Sequence, residues 1–141
     1  MYLKLLGIIS FVLLLSSCTN MNQSDCLNAD WQLIGFEDGN FGKNESSISR
    51  HRKECAKHGV TPDLTAYREG HFNGSKRFCT ANNGFYLGHQ GKSYNRSCPA
   101  QLEAIFLDGF TDGQTLFGLK EVLNQQADEL ENAYQNLDNL V

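Results

Sequence analysis

Apolar residues follow three different patterns along the chain. Residues 5–15 form an almost unbroken apolar run, and residues 116–140 place apolar residues at heptad spacing. Between these segments, β-branched aliphatic residues are few, and the strongest regularity is a glycine repeated four positions later. Sheet-forming residues are therefore scarce, whereas glycines four apart lie on one face of a helix. The pattern predicts a mostly α-helical domain over residues 26–118.

The spaced glycines leave two interpretations open. Asp-Gly and Asn-Gly pairs are typical of hairpin turns, but helical glycines four apart let two helix backbones approach closely. Helix start signals favour the second interpretation, because both prolines of the chain, in Thr61-Pro62-Asp63 and Ser97-Cys98-Pro99, lie where a helix would begin. A helical glycine costs about 1 kcal/mol relative to alanine. We expect Gly-x-x-x-Gly helix contacts to offset this cost at Gly35/Gly39, Gly70/Gly74, Gly84/Gly88 and Gly109/Gly113.

A second, functional interpretation applies to the glycine-rich stretch at residues 82–91. Its glycines could leave the backbone exposed for contact with a ligand instead of serving helix packing. The residues that would then face the ligand are Asn83, Gly84, Tyr86, Gly88, His89 and Gly91.

The N-terminal apolar run has the features of an export signal. Lys4 precedes it, and it is shorter than the about 20 residues needed to span a bilayer. Leu15-Ser16-Ser17-Cys18 resembles the lipobox of bacterial lipoproteins, in which cleavage falls just before the cysteine. The resemblance implies that residues 1–17 are removed and that Cys18 carries diacylglycerol and an amide-linked acyl chain such as palmitate. Thr19, where aspartate would suggest inner-membrane retention, implies an outer-membrane anchor facing the periplasm, with residues 18–25 as a tether.

Four cysteines remain, at positions 26, 55, 79 and 98, and an even set in an exported domain predicts two disulfides. A helix of about 15 residues between Cys55 and Cys79 would separate its ends by about 22 Å, beyond the reach of a disulfide. We therefore favour Cys26–Cys55 and Cys79–Cys98 over the other connectivities. Metal binding by His51, Cys55 and His58 is the alternative, but no Cys-x-x-Cys pair accompanies them. No metal or other cofactor is expected.

Charge is segregated along the 141-residue chain, whose net charge of −4 does not suggest nucleic-acid binding. Residues 19–49 carry a net charge of −4, residues 50–98 carry +6 and residues 99–141 carry −7. The densest basic stretch, residues 50–58, could bind an anionic glycan or lipid of the cell envelope. The alternative is a solvated helix face partly neutralised by the acidic C-terminal segment.

The C-terminal heptads predict an amphipathic, coiled-coil-like helix over residues 119–141 that begins its repeat at Leu116. Leu116, Leu123, Leu130 and Leu137 share one heptad position, and Leu119, Gln126, Ala133 and Leu140 share the other. The seam could pack back on the domain or against a partner helix, and the oligomeric state stays open.

Sequence motifs for catalysis are absent: the chain has no nucleophile elbow, Walker loop, His-Glu-x-x-His or dinucleotide fingerprint. We therefore expect a non-catalytic binding or scaffolding module, with an envelope protein or an anionic glycan or lipid as its partner. The alternative is a glycan hydrolase, acting on peptidoglycan for example, that uses Asp38, Asp108 or Asp112 as carboxylates.

The order and spacing of the cysteines, glycines and aromatic residues resemble one family of bacterial lipoproteins, the domain of unknown function 2799. The resemblance covers roughly Cys26 to Gly118 and implies an exported lipoprotein, but it supplies no activity, cofactor or catalytic residue. Ala81 departs from the pattern, in which proline is common at this position. The matching residues include Asp30-Trp31, Asp38-Gly39, Cys79-Thr80, Asn83-Gly84, Tyr94 and Cys98-Pro99.

Overall fold

The computed structural model describes residues 21–140. The predicted signal peptide, residues 1–17, and the predicted lipid site, Cys18, lie outside this range. Six α-helices and no strand occur within it, which confirms the predicted helical fold. The helices are α1 (Gln23–Leu27), α2 (Trp31–Asn40), α3 (Ile48–Ala56), α4 (Leu64–Phe78), α5 (Ala81–His89) and α6 (Ala100–Asp138), with a 3-10 turn at Glu45–Ser47 before α3.

Short polar side chains begin most of these helices by accepting hydrogen bonds from otherwise free backbone amides. Asp30 caps α2 through the amide of Leu33, and Thr80 caps α5. The stretch Thr61-Pro62-Asp63 indicated a helix start, with Thr61 as the expected cap, but the cap of α4 is Asp63, whose carboxylate accepts from two amides of the first turn. Its two acceptor oxygens and its extended backbone suit this position better than the residue before the proline.

The predicted tether, residues 18–25, overlaps a folded element. Asn22 and Asp25 form a reciprocal capping box at the start of α1. Met21 packs against the buried cluster formed by Cys26, Trp31, Cys55 and Tyr67. Residues 21–25 are therefore part of the folded domain, and residues 18–20 lie outside the described part of the chain.

Helices α2 and α4 pack through their glycines, as predicted. A Cβ added at any of the four glycines would overlap a backbone carbonyl oxygen of the opposite helix. Only glycine lets the two backbones come this close. Gly35 faces Tyr67, Gly39 faces His71, Gly70 faces Gln32 and Gly74 faces Phe36.

Helices α5 and α6 repeat the same arrangement in the same register. In both pairs, each glycine faces the residue that lies three positions before a glycine of the opposite helix. The described part of the chain therefore contains two equivalent helix hairpins, each paired through its glycines; the first half is built around α2 and α4, and the second half around α5 and α6. In the second half, Gly84 faces Phe106, Gly88 faces Phe110, Gly109 faces Ala81 and Gly113 faces Phe85.

The turns after α2 and α5 are also equivalent. Gly42 and Gly91 both have positive φ, at 67° and 66°, which glycine adopts without strain. A Cβ at Gly42 would overlap the ring of Phe78, and a Cβ at Gly91 would overlap the ring of Phe117. Each phenylalanine follows the second paired glycine of its helix by four residues.

Each half has its own small core and its own disulfide. The bridges are Cys26–Cys55 and Cys79–Cys98, with Cα–Cα distances of 5.5 and 5.7 Å, and they confirm the predicted pairing. Phe78, the last residue of α4, packs into the second core, where its ring stacks on Phe106 at a centroid distance of 5.7 Å. This aromatic contact joins the two halves.

Helix α6 is 39 residues long and extends beyond the second half. It has no break at residue 118, where the sequence pattern placed the end of the domain. Phe117 is its last partly buried residue. From Gly118 to Leu140 every residue is exposed. The C-terminal heptads thus lie on a projecting extension of α6 and do not fold back onto the domain.

Candidate functional site

The first half encloses a cluster of polar side chains between α2, α3 and α4. Asp38 is 3% exposed, and its carboxylate accepts a 2.9 Å hydrogen bond from the hydroxyl of fully buried Tyr67. Lys43, on the turn after α2, donates a 2.6 Å hydrogen bond to the other carboxylate oxygen. The ring of His71 stacks on Tyr67, and its Nε2 lies 2.8 Å from the carbonyl oxygen of Lys43.

The second half shows that the fold itself does not require this polar cluster. Leu87, Phe106 and Phe110 occupy the positions equivalent to Asp38, Tyr67 and His71, as the glycine register demonstrates. The same hairpin is therefore filled by apolar side chains in one half and by a carboxylate, a phenol and an imidazole in the other. The polar cluster is a specific feature of the first half.

Protonation in the cluster is held in one state. Burial is the largest influence on Asp38 and opposes its charge, but His51, Lys43 and Tyr67 together outweigh it and hold the pKa of Asp38 far below its usual range. Burial, followed by the hydrogen bond to Asp38, raises the pKa of Tyr67 well above its usual value. At neutral pH Asp38 is thus an anion, and Tyr67 keeps its hydroxyl proton and donates it to Asp38.

His51 brings α3 to the cluster. Its Nε2 lies 3.5 Å from Asp38 Oδ2, and its ring meets Trp31 edge-on at a centroid distance of 6.3 Å. Both ring nitrogens are buried and make no hydrogen bond to the described part of the protein. An open cleft of about 340 Å³ passes over Asp38, Lys43 and His51, with Met21, Asp25, Ile34 and Glu37 as its other walls.

The alternative metal site does not form as its sequence spacing suggested. Cys55 is bonded to Cys26 and is not available as a thiolate ligand. Within residues 21–140, no three His, Cys, Asp or Glu side chains group closely enough to hold a metal ion.

The three aspartates considered for glycan hydrolysis are distributed over both halves. Asp38 is buried in the first half, whereas Asp108 and Asp112 are exposed on α6 of the second half. The cleft over Asp38 contains neither of the other two carboxylates.

The residues predicted to face a ligand at α5 have several different surroundings. Gly84 and Gly88 face α6 and serve helix packing, which corrects their assignment to a ligand surface. Asn83 donates a 2.8 Å hydrogen bond to the carbonyl oxygen of Phe78 at the junction of α4 and α5. Tyr86 and Gly91 are exposed, and the ring of His89 stacks on that of Phe85.

A family model described as "Protein of unknown function (DUF2799)" matches residues 30–115. The chain belongs to this family. The matched range of this DUF2799 member contains both glycine-paired hairpins and ends just before α6 leaves the core. No curated protein and no solved structure matches the chain. Among the helices of residues 21–140, none combines the length and apolarity needed to span a bilayer.

Proposed function

We propose that this DUF2799 protein is a lipoprotein of the bacterial outer membrane, anchored by lipid on Cys18 and facing the periplasm, where it acts as a non-catalytic scaffolding module. The signal-like N terminus and the lipobox support the anchor. The two disulfides fit an oxidising compartment. The scaffolding role rests on one observation, the exposed heptad seam of α6.

The seam consists of eight heptad residues from Leu116 to Leu140, of which the first seven lie in α6 and Leu140 follows its end. Leu123 and Leu130 are 65% and 58% exposed, as expected for side chains that have no neighbour in the domain. Beyond Phe117 the helix projects by about 30 Å, at 1.5 Å per residue. Because most of the stability of a helix in a protein comes from packing of its apolar face, a partner helix would stabilise the projecting segment by covering its leucines.

The partner that the seam fits is a second copy of the same chain. Most acidic residues of the projecting helix lie at outer positions of the heptad: Glu121, Asp128, Glu131 and Asp138. The positions that flank the seam carry only Lys120 and Glu129 as charges. In a parallel dimer Glu129 faces no like charge, so two copies can approach without repulsion at the seam.

The lipid anchor favours the parallel orientation. Two copies held in one membrane by their N termini present their α6 helices in the same direction. Tethering also raises their effective concentration, which compensates for the polar Gln126 and the small Ala133 in the seam. The membrane-bound protein is therefore expected to pair along α6.

Cysteine cross-linking in the membrane tests this pairing. Leu123→Cys and Leu130→Cys lie at the same heptad position, and in a parallel dimer either one faces its own counterpart. Each variant should form a disulfide-linked homodimer on a non-reducing gel. Asp128→Cys, at an outer position of the same helix, is the matched control and should remain monomeric.

Two outcomes would overturn pairing between copies. One is that the seam cysteines form no more homodimer than Asp128→Cys. The other is that a photo-crosslinking residue at position 123 joins the chain to a different protein but not to itself. Peptide mapping of each variant checks that the two native disulfides are retained.

A further inference from the structure

We propose that the outer face of α3 binds the phosphate head groups of anionic phospholipids in the same membrane that holds the lipid anchor. This inference rests on the proposed anchoring at Cys18. It assigns a function to the basic stretch at residues 50–58, which has no part in the proposed pairing along α6.

The cations of α3 lie on the helix face opposite the core. Ile48, His51 and Cys55 face the buried cluster of the first half. Because an α-helix advances by about 100° per residue, Arg50 and Lys53 of α3 lie away from the core, and Lys57, the residue that follows α3, continues this face. Arg52 lies on one flank of this face, and all four cations are exposed.

These four cations have no anionic partner in the described part of the chain. Within residues 21–140, basic nitrogens lie within 4 Å of a carboxylate oxygen in Lys43–Asp38, His51–Asp38 and Arg68–Glu45. The acidic residues of α6 that could have neutralised the basic face lie on the exposed, projecting helix instead. The face thus retains its positive charge for an external anion.

A cleft along the same helix could receive a head group. It has a volume of about 420 Å³ and lies between α3 and the segment that leads to α4. Arg52 and Lys53 supply its charge, and Ser49 and Thr61 supply hydroxyl groups. Two cations with nearby hydroxyl donors suit a phosphodiester.

The fold holds this face close to the lipid anchor. The amide of Met21 donates a 3.3 Å hydrogen bond to Glu54 of α3, and Met21 packs against the half-core that contains Cys55. Cys18 is three residues away, which is at most about 11 Å of extended chain. Glu54 lies on the flank of α3 opposite Arg52, so the basic face lies between the tether and the cleft.

A membrane surface fits these observations better than a soluble anion. The tether keeps α3 within reach of lipid head groups at all times, whereas a soluble glycan must be captured from solution. Lys and Arg near an anionic membrane surface each contribute to binding, by about fivefold per cation. Such a contact would also fix the orientation of the domain on the membrane.

Lysine reactivity on vesicles tests the proposal. The full-length lipidated protein is reconstituted into vesicles of phosphatidylcholine, with or without phosphatidylglycerol, and briefly treated with a water-soluble amine reagent. Mass spectrometry then gives the rate at each lysine. Lys53 and Lys57 should react more slowly on the anionic vesicles, and high salt should remove the difference. Lys76 and Lys120 are the internal references and should not change.

Paired variants show whether the basic face is responsible. Arg50→Gln/Arg52→Gln keeps both reporter lysines and should strongly reduce their protection. Arg68→Gln/Arg77→Gln removes the same charge from α4 and should leave the protection intact.

Flotation separates failure of the anchor from failure of the head-group contact. A protein that floats with both vesicle types but shows equal lysine rates is anchored and has no such contact, which overturns this proposal alone. Flotation with neither vesicle type overturns both. Flotation with anionic vesicles only, abolished by Arg50→Gln/Arg52→Gln, supports the contact and contradicts the anchor. Equal protection by inorganic phosphate or a soluble anionic polysaccharide would overturn the assignment to lipid.

Discussion

The hydroxyl of Tyr67 donates a hydrogen bond to the buried carboxylate of Asp38, whereas the equivalent positions of the second half hold Phe106 and Leu87. Two hairpins with one glycine register thus have chemically different interiors. The second half serves as an internal reference for the first. It shows which side chains the backbone arrangement accepts when no polar group is present.

Conversion of the polar cluster to its apolar equivalent is expected to cost less than its partial removal. Tyr67→Phe leaves Asp38 without one donor and should destabilise the protein by about 1–3 kcal/mol. The triple variant Asp38→Leu/Tyr67→Phe/His71→Phe should cost less than the sum of its three single changes, because no charge is left buried. Urea unfolding followed by circular dichroism measures all four variants. A triple variant that loses the full sum would contradict the energetic coupling of these three side chains.

Asp38 should make the stability of the first half sensitive to acid. Its pKa is lowered in the folded state, so its contribution is fully present above the unfolded-state pKa of about 3.9 and is lost as pH falls below that value. The groups that face it are Lys43, His51 and Tyr67. The unfolding free energy of the wild type should therefore fall more steeply between about pH 4 and pH 2 than that of the triple variant. Parallel curves in this range would show that Asp38 is not the group responsible.

The glycine contacts predict opposite effects of the same substitution at two positions. Gly70→Ala places a Cβ against the carbonyl oxygen of Gln32 and should destabilise by about 1–3 kcal/mol or more, because α2 must move away. Gly118→Ala has open space around it and should stabilise α6 by up to about 1 kcal/mol. Thermal unfolding compares the two. Equal effects at both positions would exclude the close contact between α2 and α4.

Each disulfide should stabilise its own half by a similar amount. The bridges close segments with sequence separations of 29 and 19 residues. In the chain-entropy model these correspond to about 3–4 kcal/mol each. The double variants Cys26→Ala/Cys55→Ala and Cys79→Ala/Cys98→Ala measure the two values separately. Recovery of a Cys55–Cys79 peptide from the native protein under non-reducing conditions would contradict the pairing.

The helical fold and the disulfide pairing could be predicted from the sequence because both depend on local features. Glycines four residues apart lie on one face of a helix, so their spacing indicates a helix directly. The 15 residues of α4 rise by about 1.5 Å each, which keeps Cys55 too far from Cys79 for a disulfide. The twofold repeat was also readable. Gly35-Phe36 and Gly84-Phe85 begin matching runs that end in Gly42-Lys43 and Gly91-Lys92.

The polar cluster could not be predicted in the same way. Asp38 and Tyr67 are 29 residues apart and meet only because α2 and α4 pack in one register. Alignment of the two halves gives the missing signal, since it places Asp38 against Leu87. The position of the C-terminal heptads was also undetermined, because an amphipathic seam fits an internal and an external partner equally well. No proline follows Gly113, and α6 continues outward through Gly118 without a break.

Lipid on Cys18 is tested most directly by the intact mass of the mature protein extracted from bacterial membranes. The mass should correspond to a chain that begins at Cys18 and carries diacylglycerol and one further acyl chain, with both disulfides oxidised. Cys18→Ala should yield the uncleaved chain without this added mass and without incorporation of an alkyne fatty acid. A wild-type protein that retains residues 1–17, or that begins at another residue without lipid, would contradict membrane anchoring through Cys18.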